Sequence, residues 1–391
     1  MTLISNMLAS AAKFEEIELE FPNLFGGMQI SYYRGFELFG IPIYWYGVLI
    51  TLGVVLAYLY AMARTKDFGL DRDRVFDVVF AALISGFIGA RAYYCIFATL
   101  EGTHHYTFIT AITEIRDGGL AIYGGIIAAL LVGALMCRVR KVKLAPMFDL
   151  AALGFLIGQS IGRWGNFVNQ EAHGGITDPD YIFGMSGDLI RLEAGITGGD
   201  LVHPCFLYES LWCLLGFIGL HFYSKKLRSY DGEVFLLYIA WYGLGRVFIE
   251  GMRTDSLMAG DLKISQIVAG ASFVAALVLF IIFKVITEQK KIPLYVNTEE
   301  CAKQLAADRA KDEERARLRA ERKAVKEGVA QSILADDDEP DPDDGEFKDD
   351  SEYQDEIIDY TDDNNDNSDE NDSGDTAENE DTDENNESEE E

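Results

Sequence analysis

EVFLLYIAWYGLGRVFIEGMR, residues 233–253, is long and apolar enough to cross a membrane, yet it carries Arg246 and Glu250 within the span and Arg253 at its end. A helix crosses the hydrocarbon core with about 20 largely apolar residues, and a charge inside it costs at least about 2.5–3.5 kcal/mol on insertion scales. Tyr242, Arg246 and Glu250 are spaced i, i+4, i+8 and Arg253 follows three later, so the four share one helix face. From spacing alone two readings stand level. One is an Arg246–Glu250 pair that neutralises itself; the other is a face aimed at an anion in the bundle interior. Arginine suits a phosphate ester, because its planar fork donates two parallel charged hydrogen bonds and stays protonated in a partly apolar site.

Working outward, six more stretches are long and apolar enough to span: roughly 41–63, 75–99, 119–137, 144–162, 203–223 and 264–286. Loops 64–74, 138–143 and 224–232 hold four, four and three basic residues, while loop 100–118 holds Arg116 alone and loops 163–202 and 253–263 hold two each. Retained loops collect positive charge, so the alternation predicts an outer N-terminus and a cytoplasmic C-terminus. The fold class expected is an all-α polytopic membrane protein: seven transmembrane helices, a small outer-face cap and a disordered acidic C-terminal tail.

The pieces around the spans are read by composition. Residues 1–40 form an outer segment, within which LFGGMQISYYRGFELFG (24–40) alternates enough for a small strand pair. Residues 41–286 are the membrane domain, with 163–202 as its outer cap. Residues 287–335 are a charged cytoplasmic helix or linker; nine basic and eight acidic residues in 299–331 read as a solvated helix. From 336 to 391 there are 30 acidic residues against Lys348 alone, leaving 34 acidic and 32 basic in the other 335. Almost all of the net charge of −31 therefore belongs to a tail in which almost nothing apolar remains to build a core. A near-neutral body with an acidic tail argues against nucleic-acid binding. The five cysteines show neither metal spacing nor a disulfide framework. With Glu15, Glu16, Glu18 and Glu20 interrupting the early stretch, no cleaved signal peptide is expected.

Other charges lie inside spans: Asp77 and Arg91, Asp149, and Glu209. Asp77 and Asp149 fall near the cytoplasmic ends, where structural pairing or snorkelling is the favoured reading. Arg91, Glu209, Arg246 and Glu250 fall in outer halves. Three runs share that level. GRWGNFVNQEAHGG (162–175) supplies Arg163, Asn166, Asn169 and Glu171; GGLAIYGG (118–125) sets Tyr123 between glycine pairs that suit close helix packing; HPCFLYE (203–209) brings His203, an interface residue or a base, to a helix start.

These runs, in this order and together with WYG (45–47) and GARAYY (89–94), resemble the motifs of the phosphatidylglycerol–prolipoprotein diacylglyceryl transferase family of bacterial inner membranes, over roughly residues 30–286. The resemblance implies transfer of a diacylglyceryl group from phosphatidylglycerol to the lipobox cysteine of a prolipoprotein, giving a thioether and glycerol-1-phosphate. It implies membrane lipids as surroundings and no metal or cofactor. It assigns the headgroup phosphate to Arg163 and Arg246, and catalytic roles to these two with Tyr123, Glu171 and Glu250. Asn166, Asn169, Tyr46, Tyr242, Arg91, His203 and Glu209 complete the lipid-binding set. One departure matters: many members have histidine where this chain has Tyr123, and a tyrosine with an ordinary pKa near 10 is a poor base at neutral pH. A positioning role fits Tyr123, and the thiol base stays open among Glu171, Glu250, His203 and a phosphate oxygen. The alternatives are a transporter or channel lined by the buried charges, and a scaffold acting through its tail. The enzyme reading expects activity to survive deletion of 300–391.

Overall fold

The computed structural model describes residues 14–336 apart from 103, 115–117, 194, 255–257, 260 and 261. The expected acidic tail lies, from residue 337, outside the described residues, as do residues 1–13 of the N-terminal segment. The chain divides into two compact units, Met1–Ala320 and Glu321–Glu391; within the second, the described residues are the final turns of one long helix.

Four short strands open the first unit: β1 (Glu16–Phe21), β2 (Met28–Tyr33), β3 (Gly35–Leu38) and β4 (Ile41–Tyr44). The helices that follow are α1 (Trp45–Arg64), α2 (Arg72–Leu100), the short α3 (Phe108–Thr113), α4 (Ile122–Val139), α5 (Leu144–Asn169), α6 (Cys205–Lys226), α7 (Glu233–Met252), α8 (Ile264–Lys290) and α9 (Glu299–Asp336). Seven of them, α1, α2 and α4 through α8, are long and apolar enough to cross a membrane. The most buried is α5, whose Leu150, Ala152, Leu153 and Leu156 are fully covered. By contrast, α1, α4 and α8 turn large apolar side chains outward, Leu59, Leu131 and Val274 among them, as a surface facing hydrocarbon does.

Three sequence expectations shift. Residues 41–44 begin no helix: Pro42 lies in β4, which pairs with β3 through a turn at Phe39 and Gly40, both at positive φ. The early glutamates are the solvent face of a strand, since Ile17, Leu19 and Phe21 of β1 are buried while Glu16 and Glu18 are exposed. β1 lies between β2 and the two-residue β5 (Ser186–Gly187), and Leu19, Phe21, Met185, Ile190, Val202 and Phe206 make the core of this cap. Finally, α5 runs on to Asn169, so Arg163, Asn166 and Asn169 stand on its last two turns and not in a loop.

Close packing carries the register between helices. A Cβ on Gly124 of α4 would collide with Tyr93 and the Gly89 carbonyl of α2, so these glycines join the two helices backbone to backbone. Between α6 and α7, Trp212 and Trp241 stack with ring centroids 4.3 Å apart, and each indole N–H donates to the other's carbonyl at 2.8 and 2.9 Å.

At the end of the bundle where the basic loops gather, the charges serve structure. Asp149 accepts the Gly232 and Phe235 N–H groups at 2.8 and 2.9 Å, capping the start of α7. Arg140 holds Asp77 at 2.5 Å. The first turns of α9 are packed onto this end as well: Cys301 is 1% exposed, with its thiol donating to the Gly69 carbonyl, and Arg74 grips the buried Asp308 at 2.6 Å. Ahead of them, Tyr295 N–H donates to Asp231 at 2.7 Å. Residues 299–308 are therefore a strap, whereas composition suggested a solvated helix. Burying side chains of this size is worth roughly 1.5–3 kcal/mol each. Removal of 292–391 is expected to lower the unfolding midpoint by several degrees or more, and removal of 337–391 to leave it unchanged, as thermal unfolding in detergent reads. Equal midpoints for the two truncations would show that the strap contributes nothing. A cut at 300 severs the strap, so an enzyme that keeps its activity after that cut does so at reduced stability.

Candidate functional site

At the opposite end, Glu209 in the second turn of α6 is the hub. Arg163 Nη2 lies 2.8 Å from its carboxylate, Arg246 Nη1 lies 3.1 and 3.2 Å from its two oxygens, and Arg253 Nη1 lies 3.4 Å away. Arg246 also reaches Glu250 at 2.7 Å. Both readings of the 233–253 stretch are thus realised: the i,i+4 pair exists, and it is joined to a second carboxylate on another helix. Glu209 and Glu250 are buried, while the Arg163 and Arg246 side chains stay 22% and 18% exposed. Among the described residues, the guanidiniums of Arg163, Arg246 and Arg253 gather around the two buried carboxylates. At an effective dielectric near 20, an anion 4 Å from one guanidinium gains about 4 kcal/mol before desolvation.

Arg163 donates to Asn166 at 3.3 Å, and Asn166 and Asn169 donate to Glu171 at 2.9 and 3.3 Å. Glu171 is exposed. Its position follows from the end of α5: Gln170 sits in the left-handed region at φ 51°, donates to the Glu18 carbonyl at 2.9 Å and accepts the Leu189 N–H at 2.9 Å, fastening the helix end to the cap. Gly174 is hemmed in by His203 Cβ at 2.8 Å and the Met252 carbonyl at 3.0 Å from an added Cβ, so only glycine lets this loop reach both the start of α6 and the end of α7. The Gly174 and Gly175 N–H groups donate to the carbonyls of His203 and Met252, each at 2.9 Å.

Tyr46 packs its ring on Gly165, whose Cβ would lie 2.7 Å away, and stands within electrostatic reach of Arg163 and Glu171. Tyr242 stands likewise near Arg163, Arg246 and Glu209. His203 bonds Tyr208 at 3.2 Å, and Tyr208 donates to Tyr181 at 2.9 Å, which makes His203 Nδ1 the donor and leaves the Nε2 lone pair open. Burial pushes the His203 pKa below its ordinary value, so the ring is neutral at physiological pH.

Two expected site residues stand apart. Tyr123, in the first turn of α4, is 62% exposed, and among the described residues no hydrogen bond joins it to the network. Arg91 is buried and donates to the carbonyls of Ala111, Gly118 and Gly119 at 2.8, 2.7 and 3.1 Å, with Tyr106 under its guanidinium. It thereby holds the segment leading into α4. A cavity of about 870 Å³ adjoins the network between α1 and that segment; Tyr46 and Asn169 line it, and so does Arg34, a residue whose sequence surroundings carry no signal beyond its charge.

The fold and the charged network define a multi-pass helical membrane protein that gathers arginines and carboxylates at one end of its bundle. The family model of prolipoprotein diacylglyceryl transferase matches residues 35–282. The chain belongs to the prolipoprotein diacylglyceryl transferase family, a family of transferases. It is similar to three proteins named phosphatidylglycerol–prolipoprotein diacylglyceryl transferase. That of Clostridium novyi is 41% identical over 251 residues, covering 63% of this chain and 93% of the relative. That of Staphylococcus saprophyticus is 38% identical over 261 residues, covering 66% and 92%. That of Limosilactobacillus reuteri is 42% identical over 256 residues, covering 65% and 90%.

Proposed function

We propose that this chain transfers the diacylglyceryl group of phosphatidylglycerol to the lipobox cysteine of prolipoproteins, the first step of lipoprotein maturation. The observation that carries the mechanism is the Arg163–Glu209–Arg246 network. In the reaction a cysteine thiolate attacks the sp³ carbon that bears the phosphate, the C–O bond breaks, and glycerol-1-phosphate leaves. Negative charge grows on the phosphate as the bond breaks, so preformed donors aimed at its oxygens lower the barrier. Arg163 and Arg246 supply them, and Glu209 and Glu250 hold the two guanidiniums in place beforehand. For the thiol proton, Glu171 is the exposed carboxylate of the site, and its pair of amide donors orients it. Tyr123 positions lipid, consistent with its exposed place at the start of α4. Transport is not favoured, since Asp149 at the far end is taken up by helix-capping bonds.

The distribution of Lys and Arg supports an orientation with the site on the outer side of a bacterial inner membrane, the N-terminus outside and the C-terminus in the cytoplasm. There both the lipid and a translocated lipobox are at hand. The test is mass spectrometry of a lipobox peptide incubated with the purified protein in phosphatidylglycerol vesicles. A gain of one diacylglyceryl unit on the cysteine is expected, and none on a peptide with serine in its place. No gain on the cysteine peptide would overturn the assignment.

A further inference from the structure

A cavity of about 870 Å³ lies beside the network. It follows α1 from Tyr46 to Val55, about 14 Å at 1.5 Å per residue. Val48, Leu52, Val55 and, across from them, Leu120 give it apolar walls, and Pro42 and Ile43 of β4 stand at its rim. Charge enters from one side chain only, Arg34, carried by the bend between β2 and β3. The Arg34 Nε is buried and has no hydrogen-bond partner among the described residues. A buried donor without an acceptor is a cost that a folded protein normally avoids, and here it belongs to a residue lining open space. The arginines of the network already hold carboxylates; among the described residues Arg34 Nε holds none.

An apolar trough with an unsatisfied guanidinium donor complements an anionic amphiphile: chains along Val48, Leu52 and Leu120, headgroup oxygen on Arg34. Asn169 lines the same cavity and is bonded to Glu171, so whatever Arg34 holds is adjacent to the network. We infer that Arg34 binds the phosphate of the incoming donor lipid in this trough and sets the preference for an anionic headgroup over a zwitterionic one. Arg34 falls one residue before the stretch that the family model matches. The identity of the lipid as phosphatidylglycerol rests on the transferase reading; the binding of an anionic lipid does not.

The test therefore has two arms. In the first, the full chain in detergent is exchanged against labelled phosphatidylglycerol or phosphatidylcholine, and the lipid retained is counted. Arg34→Gln is expected to retain about fivefold to tenfold less phosphatidylglycerol than the unaltered chain, with phosphatidylcholine unchanged, and Arg34→Lys, which keeps the charge without the fork, to fall between. In the second, thioether formation is followed in vesicles where phosphatidylglycerol is diluted with phosphatidylcholine. Arg34→Gln should need a fivefold to tenfold higher mole fraction for half-maximal rate and reach the same maximal rate. Should Arg34→Gln fail to fold, Arg34→Lys decides by the same two measures. Unchanged retention, an equal loss of both lipids, or a lower maximal rate at an unchanged midpoint would overturn the inference. Selective retention without any thioether from the unaltered chain would overturn the transferase reading and leave Arg34 standing.

Discussion

Arg163→Gln lowers the rate of thioether formation by about a hundredfold to a thousandfold, the range found when one preorganised donor to a developing negative charge is removed. Arg246→Gln lowers it at least as far and also weakens the fold. The difference between them comes from their partners. Arg163 shares its carboxylate, Glu209, with Arg246 and Arg253, so Glu209 stays paired when Arg163 is lost. Arg246 bridges Glu209 to Glu250, and Glu250 is 2% exposed. Leaving a buried charge unpaired costs about 3–5 kcal/mol. Initial rates on a lipobox peptide, with thermal unfolding of the same preparations, read both effects: Arg163→Gln nearly inactive at a near-normal midpoint, Arg246→Gln inactive at a lowered one. Arg246→Lys keeps the charge but not the planar fork, so it should recover stability better than rate. Full activity in both glutamine variants would remove the phosphate role from this network.

The seven spans were legible because a membrane helix announces itself through length and composition, and Arg246 with Glu250 stood out because charge in a span is costly. Which helix Arg246 would join was not legible. Its second partner, Glu209, is 37 residues away, and only the packing of α6 on α7 through Trp212 and Trp241 brings them level. The glutamates of β1 interrupt an apolar run with a period of two, the alternation of a strand with one face toward solvent. The strap was hidden by its charge: Cys301 and Asp308 are buried within a segment whose composition is that of a solvated helix, and burial depends on what α9 meets at Gly69 and Arg74. Arg91 was misplaced for a related reason. A buried arginine looks alike in sequence whether it binds a lipid phosphate or three backbone carbonyls, and only the placement of the Ala111, Gly118 and Gly119 carbonyls distinguishes the two.

Glu209→Gln is the sharper probe of how the site works. Glutamine keeps the volume and one acceptor oxygen but removes the charge that Arg163, Arg246 and Arg253 share. The site then has one negative charge fewer, and the three guanidiniums lose the carboxylate they share. Mutual repulsion should loosen their geometry and cost stability on the order of 3–5 kcal/mol, while a resting anion is held more tightly than before. Tighter binding of the ground state does not speed the chemistry, because only interactions that strengthen in the transition state do so. The expected signature is a kcat lower by about a hundredfold with the half-saturating lipid fraction unchanged or reduced, the cost of losing a preorganised electrostatic frame. Arg163→Gln should differ, raising the half-saturating fraction because it removes a donor to the phosphate itself. A Glu209→Gln protein with normal kcat would mean that the arginines hold their positions without their shared carboxylate, and Glu209 would then be a charge balance for the fold alone.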